Sequence, residues 1–261
     1  MRIYSNAYEL MSETGRNLTE MGTINKPKTY QNQVIEGKED FETKELICEQ
    51  YCLTDLPDPE WLFCYTHTKS WADAEFSERI SGDSKLNPGK AWLLNPDMWS
   101  EFLVRSKDDP NKPVFDYTYA ERMNVLAKYN KNLQTYLDNI ISLLKDDNDT
   151  RKAVLSIFNP SIDANHLDGI ARIPCSMYYD FLVRLDAKGH KQLNICYHQR
   201  SCDFIGHFGD DVYLAWSLMQ YVAEKIGVKP GYLYHTIDSL HAYKKDWWLL
   251  KTSIDELDAN D

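Results

Sequence analysis

The 261-residue sequence predicts an α/β domain in which helices are layered on a mixed sheet. Leu193, Ile195 and Tyr197 alternate with polar residues, which is the pattern of a half-buried strand. Residues 212–226 instead carry apolar side chains at helical spacing. Strand and helix patterns follow one another without a regular βαβ rhythm, and no Gly/Ser/Pro-rich linker divides them. We therefore expect a single domain that spans residues 1–261.

The composition excludes several classes of protein. Hydrophobic residues make up 43% of the chain and aromatic residues 13%, enough to bury a sizeable core. The net charge of -11 repels polyanions, so duplex nucleic acid is an unfavourable partner. No apolar run approaches the ~20 residues that cross a bilayer, and residues 1–6 lack the apolar core of a signal peptide. We expect a cytoplasmic protein that does not bind membranes.

The six cysteines are expected to be free thiols, because the chain carries no sign of secretion. Cys48 and Cys52 have no second Cys or His pair at the spacing of zinc ligands, so the sequence predicts no metal site.

The first part of the chain combines short strands with turns. Residues 28–35 and 46–53 are rich in β-branched and aromatic side chains and predict two strands. Residues 56–61 predict the start of a helix, since proline and acidic side chains suit a first turn. Residues 81–113 are rich in Gly, Pro, Asn, Asp and Ser, so we expect a long loop with one helical piece at 96–102.

Residues 120–144 predict one long amphipathic helix. Its apolar positions recur at helical spacing: Met123, Leu126, Leu133, Leu137, Ile140, Ile141 and Leu144. The pair Arg151-Lys152 precedes a predicted strand at 153–158. Near the end of the chain we expect a strand at 232–238 and a helix at 242–250.

The residues with the clearest chemistry lie between Arg172 and Tyr243. They form the motifs Pro174-Cys175, Gln199-Arg200-Ser201-Cys202-Asp203, Asp210-Asp211 at a helix start, and His241-x-Tyr243. A thiol can attack a base, an arginine can hold a phosphate, and a carboxylate can pair with a base edge. Such a set is typical of an enzyme that modifies nucleotides.

These motifs resemble the thymidylate synthase family, whose pattern is Pro-Cys, then Gln-Arg-Ser-x-Asp, then His-x-Tyr. The resemblance is close over residues 171–243 and weaker at 119–122, 151–152 and 28–61. It implies a homodimer and transfer of a one-carbon unit to C5 of a pyrimidine nucleoside monophosphate. The cosubstrate that it implies is a reduced folate, 5,10-methylenetetrahydrofolate.

The resemblance also implies roles for single residues. Cys175 would attack C6 of the base, which makes C5 nucleophilic, provided that nearby cations lower the pKa of the thiol. The phosphate would be held by Arg200 and Ser201, and by Arg151 and Lys152 from the opposite subunit. The remaining implied contacts are His241 and Tyr243 to the sugar, Asp203 to the folate, and Tyr119 to the thiol and a water.

The resemblance leaves two further residue assignments open. The family has a catalytic glutamate shortly before a tryptophan, here Trp61; the spacing favours Asp58, whereas the residue type favours Glu60, which we prefer. A basic residue in the N-terminal phosphate loop is not evident, and Arg16 and Lys26 are the candidates.

Asp211 is the informative departure from the family. Thymidylate synthases have an asparagine at this place, eight residues after Asp203, and its amide matches the edge of uracil. A carboxyl group matches cytosine instead. Together with Ser239-Leu240 before His241, this change resembles the deoxycytidylate hydroxymethylase branch. The alternative is that Asp211 only caps its helix.

The same residues leave the product open. The acidic residues 255–261 are unsuited to seal a site against water, so we expect hydroxymethylation of dCMP to 5-hydroxymethyl-dCMP. The alternatives are C5 methylation of dUMP or dCMP, or a non-catalytic relative that binds nucleotide or RNA. Deoxyribose and ribose are not distinguished.

Overall fold

A mixed sheet forms the centre of the computed structural model, which describes residues 1–30, 33–65, 67–86, 89–106, 109–129, 132–164 and 172–250. The strands are β1 Arg2–Tyr4, β2 Thr23–Asn25, β3 Thr29–Tyr30, β4 Gln33–Val34, β5 Thr43–Leu53, β6 Leu103–Arg105, β7 Pro113–Phe115, β8 Leu126–Tyr129, β9 Asn132–Thr135, β10 Val154–Ser156, β11 Ser176–Leu185, β12 Lys191–Gln199, β13 Cys202–Asp203 and β14 Lys229–Tyr243. The α-helices are α1 Ala7–Met21, α2 Lys69–Arg79, α3 Lys90–Leu94, α4 Pro96–Trp99, α5 Tyr119–Met123, α6 Tyr136–Asp146, α7 Pro160–Asp163 and α8 Gly209–Ile226.

The main sheet contains eight strands, six of them in the order β1-β5-β14-β12-β11-β10. The strands β13 and β2 extend it beside β14 and β5. The pairs β1/β5, β12/β14 and β13/β14 are parallel, whereas β11/β12 and β14/β5 are antiparallel. The predicted α/β class with a mixed sheet is therefore confirmed.

The helix α8 packs its apolar face on the centre of this sheet. Val212, Ala215, Met219 and Val222 are each fully buried. The helix ends at Gly227, whose φ of 73° is left-handed and suits glycine. This packing fixes the first turn of α8 beside the ends of β12 and β13, where the predicted site residues lie.

Several predicted elements are present at the expected places. The strand predicted at 46–53 lies within β5, the one at 232–238 within β14, and the one at 153–158 contains β10. Residues 28–35 form the short hairpin β3/β4 rather than one strand. Residues 96–102 are helical, as α4 followed by a 3-10 turn at Ser100–Phe102, although α3 adds a second helical piece to the predicted loop.

The prediction of one long helix at 120–144 is wrong. The chain forms α5, then the hairpin β8/β9, then α6. Leu126 and Leu133, which fitted the helical period, are 61% and 62% exposed. The Asn124 side chain donates to the backbone oxygen of Ala120, and the Thr135 side chain accepts from the backbone N–H of Asp138. These polar contacts end one helix and begin the next.

The predicted helix at 242–250 also begins later than expected, because β14 continues to Tyr243 and a 3-10 turn follows at Lys244–Asp246. Residues 255–261, whose acidity favoured hydroxymethylation, lie outside the described residues. Among the helices that the structure describes, none has the length and apolarity needed to cross a membrane.

Candidate active site

A cavity of about 200 Å³ lies where the ends of β13 and β14 meet the start of α8. It brings together groups that are far apart in the sequence. Those of the predicted site residues that line it are Tyr119, Cys175, Ser201, Asp203, Asp211, His241 and Tyr243.

Cys175 precedes the first residue of β11, and its carbonyl accepts the backbone N–H of Arg200 at 2.9 Å. Nη2 of Arg200 lies 3.9 Å from the sulfur. Burial raises the pKa of the thiol; Arg200 opposes this effect and the carboxylate of Asp211 adds to it. The expected lowering by cations is therefore outweighed here, and Cys175 rests as a neutral thiol that a base must deprotonate.

The guanidinium of Arg200 is anchored by the chain before the thiol. Its Nε donates to the carbonyl of Pro174 at 3.0 Å, and its Nη2 donates to that of Ile173 at 2.7 Å. The residue is exposed and is not among the groups lining the cavity. These contacts hold the guanidinium beside Cys175 while the residue stays exposed to solvent.

Asp211 lies in the first turn of α8, but its carboxyl group faces away from the helix backbone. Oδ2 accepts from Nε2 of Gln199 at 2.8 Å and from the thiol of Cys202 at 3.7 Å. The helix continues directly from a π-helical turn at Phe204–Phe208, which Asp203 caps through the backbone N–H of Ile205. In this structure Asp203, not Asp211, serves as the cap.

Burial raises the pKa of Asp211 to about 6, while the hydrogen bond from Gln199 and the charge of Arg79 lower it. A carboxyl group with this pKa is available in both protonation states near neutral pH.

The sugar-binding candidates lie on β14. Nε2 of His241 is 3.3 Å from the hydroxyl of Tyr243. Both side chains are more than nine-tenths buried, and burial raises the pKa of Tyr243 far above its ordinary value. Burial also raises the pKa of Asp203, although His241 opposes this effect.

The structure does not bring Asp58 or Glu60 to the cavity. Both are exposed beside or within a 3-10 helix, Pro59–Phe63, that turns Leu62 into the core. Our preference for Glu60 is not supported by this placement, because neither carboxylate is among the groups lining the cavity.

Glu75 lines the cavity instead, and sequence reasoning missed it. It lies on α2, where its Oε1 accepts from Nε of Arg79 at 2.9 Å. Arg79 is buried, and its guanidinium lies 4.2 Å from the centre of the Tyr119 ring. The spacing of Glu75 and Arg79, one helical turn apart, was the signal in the sequence that could have indicated this residue.

The structure places Arg151 and Lys152 on an exposed loop before β10, and they are not among the residues lining the cavity of their own chain. Lys26, a candidate for the N-terminal phosphate loop, forms an ion pair with Glu42 at 2.7 Å.

One wall of the cavity is aromatic. The rings of Trp71 and Trp99 are nearly parallel, with centroids 5.9 Å apart. The indole N–H groups of Trp71, Trp92 and Trp99 are buried without an acceptor in the part of the chain that the structure describes. Arg172 adds a cation that lies over the rings of Phe102 and Tyr117. A flat ring system that carries hydrogen-bond acceptors would fit this wall.

A polar cluster of His67, His207 and Asp210 lies beside the indoles, with the His67 ring stacked on that of Trp71. The possible ligand atoms of the three side chains all lie within 4.8 Å of one another, so they could hold a small divalent cation. His67 is hydrogen-bonded to the Asp210 carboxylate, which accounts for two of the three groups without an ion. Burial lowers the pKa of His207 to about 3. Sequence analysis could not detect this group, because His67 and Asp210 are 143 positions apart in the chain.

Comparison with known proteins decides the family. The family model described as thymidylate synthase matches residues 75–258, about seven-tenths of the chain. The chain belongs to the thymidylate synthase family. It is therefore an enzyme of one-carbon transfer to C5 of a pyrimidine nucleotide, in a family that uses methylenetetrahydrofolate. The match begins at Glu75, so Asp58 and Glu60 precede the matched residues.

Individual relatives give the same result. A Methanosarcina mazei protein named "Putative thymidylate synthase" is 29% identical over 179 residues, 69% of this chain and 73% of that protein. The deoxyuridylate hydroxymethyltransferase of Bacillus phage SP01 is 30% identical over 139 residues, 51% of this chain and 35% of that protein. Thymidylate synthase A of Bacillus subtilis shares the fold, with a TM-score of 0.69 over 96% of this chain and 84% of that chain at 15% identity.

Proposed function

We propose that this enzyme converts dCMP to 5-hydroxymethyl-dCMP. The observation that carries the proposal is Asp211, a half-buried carboxyl group that lines the same cavity as Cys175. Cytosine presents an acceptor at N3 beside an amino donor, so a protonated carboxyl can satisfy both, and an ionised one can pair with N3-protonated cytosine. A pKa of about 6 makes both modes accessible.

The nucleotide would be held at three points. Arg200 and Ser201 bind the phosphate next to the thiol, with Arg151 and Lys152 of a partner subunit in a homodimer completing the phosphate site. His241 and Tyr243 bind the sugar hydroxyl. With these contacts made, the base lies between Cys175 and Asp211.

The sulfur of Cys175 adds to C6, and C5 becomes the nucleophile. Methylenetetrahydrofolate supplies the one-carbon unit, and Trp71, Trp92 and Trp99 would hold its ring system. Glu75, on the wall of this cavity, would move the protons, and Tyr119 lies beside the same Arg79 that donates to Glu75. We assign to Glu75 the role that the sequence suggested for Glu60.

Loss of the C5 proton and departure of tetrahydrofolate, with cleavage of its bond to the one-carbon unit, leave an exocyclic methylene on the nucleotide. Water then adds its oxygen to this carbon and gives its proton to Glu75, while the C6–S bond breaks and C5=C6 reforms. The polar lining of the cavity favours water at this step; it includes Glu75, Glu78, Arg172, His207 and Asp210. The hydroxymethyltransferase among the relatives supports the same type of product.

The test is incubation with methylenetetrahydrofolate and dCMP, CMP or dUMP, followed by mass spectrometry of the nucleotide. We expect dCMP to gain CH2O, and Cys175→Ala to bind dCMP without turnover. A gain of CH2 would identify a methyltransferase. A gain of CH2O on dUMP alone would place the chain with its phage relative. Binding without any product from the wild-type protein would identify a non-catalytic relative.

A further inference from the structure

A buried line of hydrogen bonds leads from the core of the sheet to the Asp211 carboxyl group. The hydroxyl of Tyr51 on β5 lies 2.7 Å from Nδ1 of His235 on β14. Nε2 of His235 lies 2.8 Å from Oε1 of Gln199 at the end of β12. Nε2 of Gln199 then reaches Oδ2 of Asp211 at 2.8 Å. Tyr51, His235 and Gln199 are each at most 1% exposed.

This line has one consistent direction of donation. An ionised carboxylate only accepts, so the amide nitrogen of Gln199 faces Asp211 and its oxygen faces His235. The Nε2 of His235 must therefore carry a hydrogen. Burial lowers the pKa of His235 to about 3, with a smaller effect of His198, so the ring is neutral and its Nδ1 is an acceptor. The remaining donor is Tyr51, whose pKa burial raises well above its ordinary value.

The direction of donation determines which oxygen of Asp211 can carry a proton. In the described part of the chain, both hydrogen bonds to this carboxyl group end on Oδ2. An oxygen that accepts from a buried amide is disfavoured as the protonated one. A proton on Asp211 therefore resides on Oδ1.

We propose that His235 and Tyr51 are positioning residues: acting through Gln199, they hold Oδ2 of Asp211 as an acceptor and direct the proton of this carboxyl group to Oδ1, from which it is donated to the substrate base. This inference rests on the proposed function in one respect, namely that Asp211 faces the base. It deepens that function by assigning base selection to residues in the sheet core that do not line the cavity.

Other titratable groups also affect the pKa of Asp211, and the variants in this test leave those groups unchanged. Arg79 approaches from α2, Asp210 from the same helix and Cys202 from β13. The other titratable neighbours are Cys175, Tyr119, Tyr179 and Tyr197. None of these is changed in the variants below.

The experiment is a pH titration of aspartate Cγ by 13C NMR, with the Asp211 signal assigned by its loss in Asp211→Asn. His235→Phe removes the donor that orients Gln199, so the amide can turn its oxygen to the carboxyl group and favour the protonated form. We expect the pKa of Asp211 to rise by about one unit. His235→Gln can donate to Gln199 and accept from Tyr51, so it should restore the wild-type titration.

Tyr51→Phe tests the same line with a smaller change and decides the question if His235→Phe does not fold. It frees His235 to adopt either tautomer, so the pKa of Asp211 should rise in the same direction by less. Tyr4→Phe is the matched control, because Tyr4 is 2% exposed and its ring lies 6.0 Å from that of Tyr51. Its hydroxyl lies outside the line, so the titration should not move.

The ratio of the dCMP and dUMP dissociation constants, measured by calorimetry, gives a second readout. We expect the preference for dCMP to fall roughly tenfold in His235→Phe and to return in His235→Gln. Folded Tyr51→Phe and His235→Phe proteins that titrate like wild type would overturn the proposal. Shifted titrations in a protein that shows no preference for dCMP would instead sustain the positioning role and reject cytidylate as the substrate.

Discussion

For the single residue Asp211, base reading and helix capping predict different results for one substitution. Asp211→Asn reverses the donor and acceptor pattern toward that of uracil, and each mispaired buried polar contact costs about 1–3 kcal/mol. Two such contacts should shift the kcat/KM ratio of dCMP to dUMP by roughly 10²- to 10⁴-fold toward dUMP. Asparagine caps a helix about as well as aspartate, so a cap alone leaves the ratio unchanged. A ratio within about threefold of wild type would remove the argument for cytosine.

Glu75 and Glu60 form a matched pair for the catalytic carboxylate. Glu75→Gln keeps an acceptor for Arg79 but cannot transfer a proton, so kcat should fall by roughly 10²- to 10⁴-fold while nucleotide binding persists. Glu60→Gln is an exposed change outside the cavity and should stay within about twofold of wild type. Steady-state kinetics with dCMP distinguish the two. The reverse result would return the assignment to Glu60.

The reactivity of Cys175 follows from its raised pKa. Below that pKa the thiolate fraction increases about tenfold per pH unit, so alkylation by iodoacetamide should still be increasing at the ordinary thiol value of 9.0. The exposed Cys48 should be labelled ahead of it at neutral pH. Peptide mass spectrometry measures each site separately. A labelling rate of Cys175 that levels off below pH 8 would show that cations dominate over burial.

The contrast between Glu75 and Glu60 shows which kind of site residue could not be predicted from the sequence. Pro174-Cys175 and Gln199 to Asp203 are contiguous motifs, so their chemistry could be recognised from order alone. The proposed carboxylate, Glu75, lies on a separate helix, α2, and its local mark in the sequence is an i,i+4 partner, Arg79. Such pairs are frequent on solvent-exposed helices, so the pair does not by itself indicate a site.

At the scale of elements, the sequence predicts a helix or strand correctly where the buried side chains recur at one regular spacing. It predicts wrongly where they do not. The strand β12 alternates and α8 has a continuous apolar face, so both were found close to their true bounds. Residues 120–144 carry apolar side chains at helical spacing, yet Leu126 and Leu133 are exposed in a hairpin. Polar capping by Asn124 and Thr135 outweighs the period there, and a hydrophobic pattern does not record that competition.

The start of α8 gives a prediction about how the site is supported. A Cβ on Gly209 would lie 1.8 Å from the carbonyl oxygen of Leu62, in the 3-10 helix that carries Glu60. Gly209→Ala must push these two elements apart and should lower the free energy of unfolding by about 1–3 kcal/mol. Gln220→Ala, on the exposed face of the same helix, should change it by less than about 0.5 kcal/mol. Urea unfolding measures both.

Because Asp211 follows Gly209 by two residues, the same displacement should also reduce the preference for dCMP. Gln220→Ala should leave that preference unchanged. A Gly209→Ala protein as stable and as selective as wild type would mean that the contact with Leu62 does not fix the first turn of α8.

For the whole molecule, the residues proposed to hold the phosphate lie apart within one chain. Arg200 is anchored beside Cys175, whereas Arg151 and Lys152 are exposed on a loop away from the cavity lining. We expect this pair to act on the site of a partner subunit in a two-fold homodimer. Arg151→Ala and Cys175→Ala chains, each inactive alone, should then regain activity when mixed. Only one site of each mixed dimer holds both groups, so about a quarter of wild-type activity should return after full exchange.

The matched control mixes Cys175→Ala with Glu75→Gln. Cys175 and Glu75 line one cavity within one chain, so every site in every dimer keeps at least one defect and no activity should return. Subunit exchange is followed in both mixtures by native mass spectrometry, with one chain isotopically labelled. Recovery in the first mixture alone shows that Arg151 crosses the dimer interface. Full exchange without recovery would mean that each chain holds the phosphate by itself, because Arg151→Ala removes no other group near the thiol.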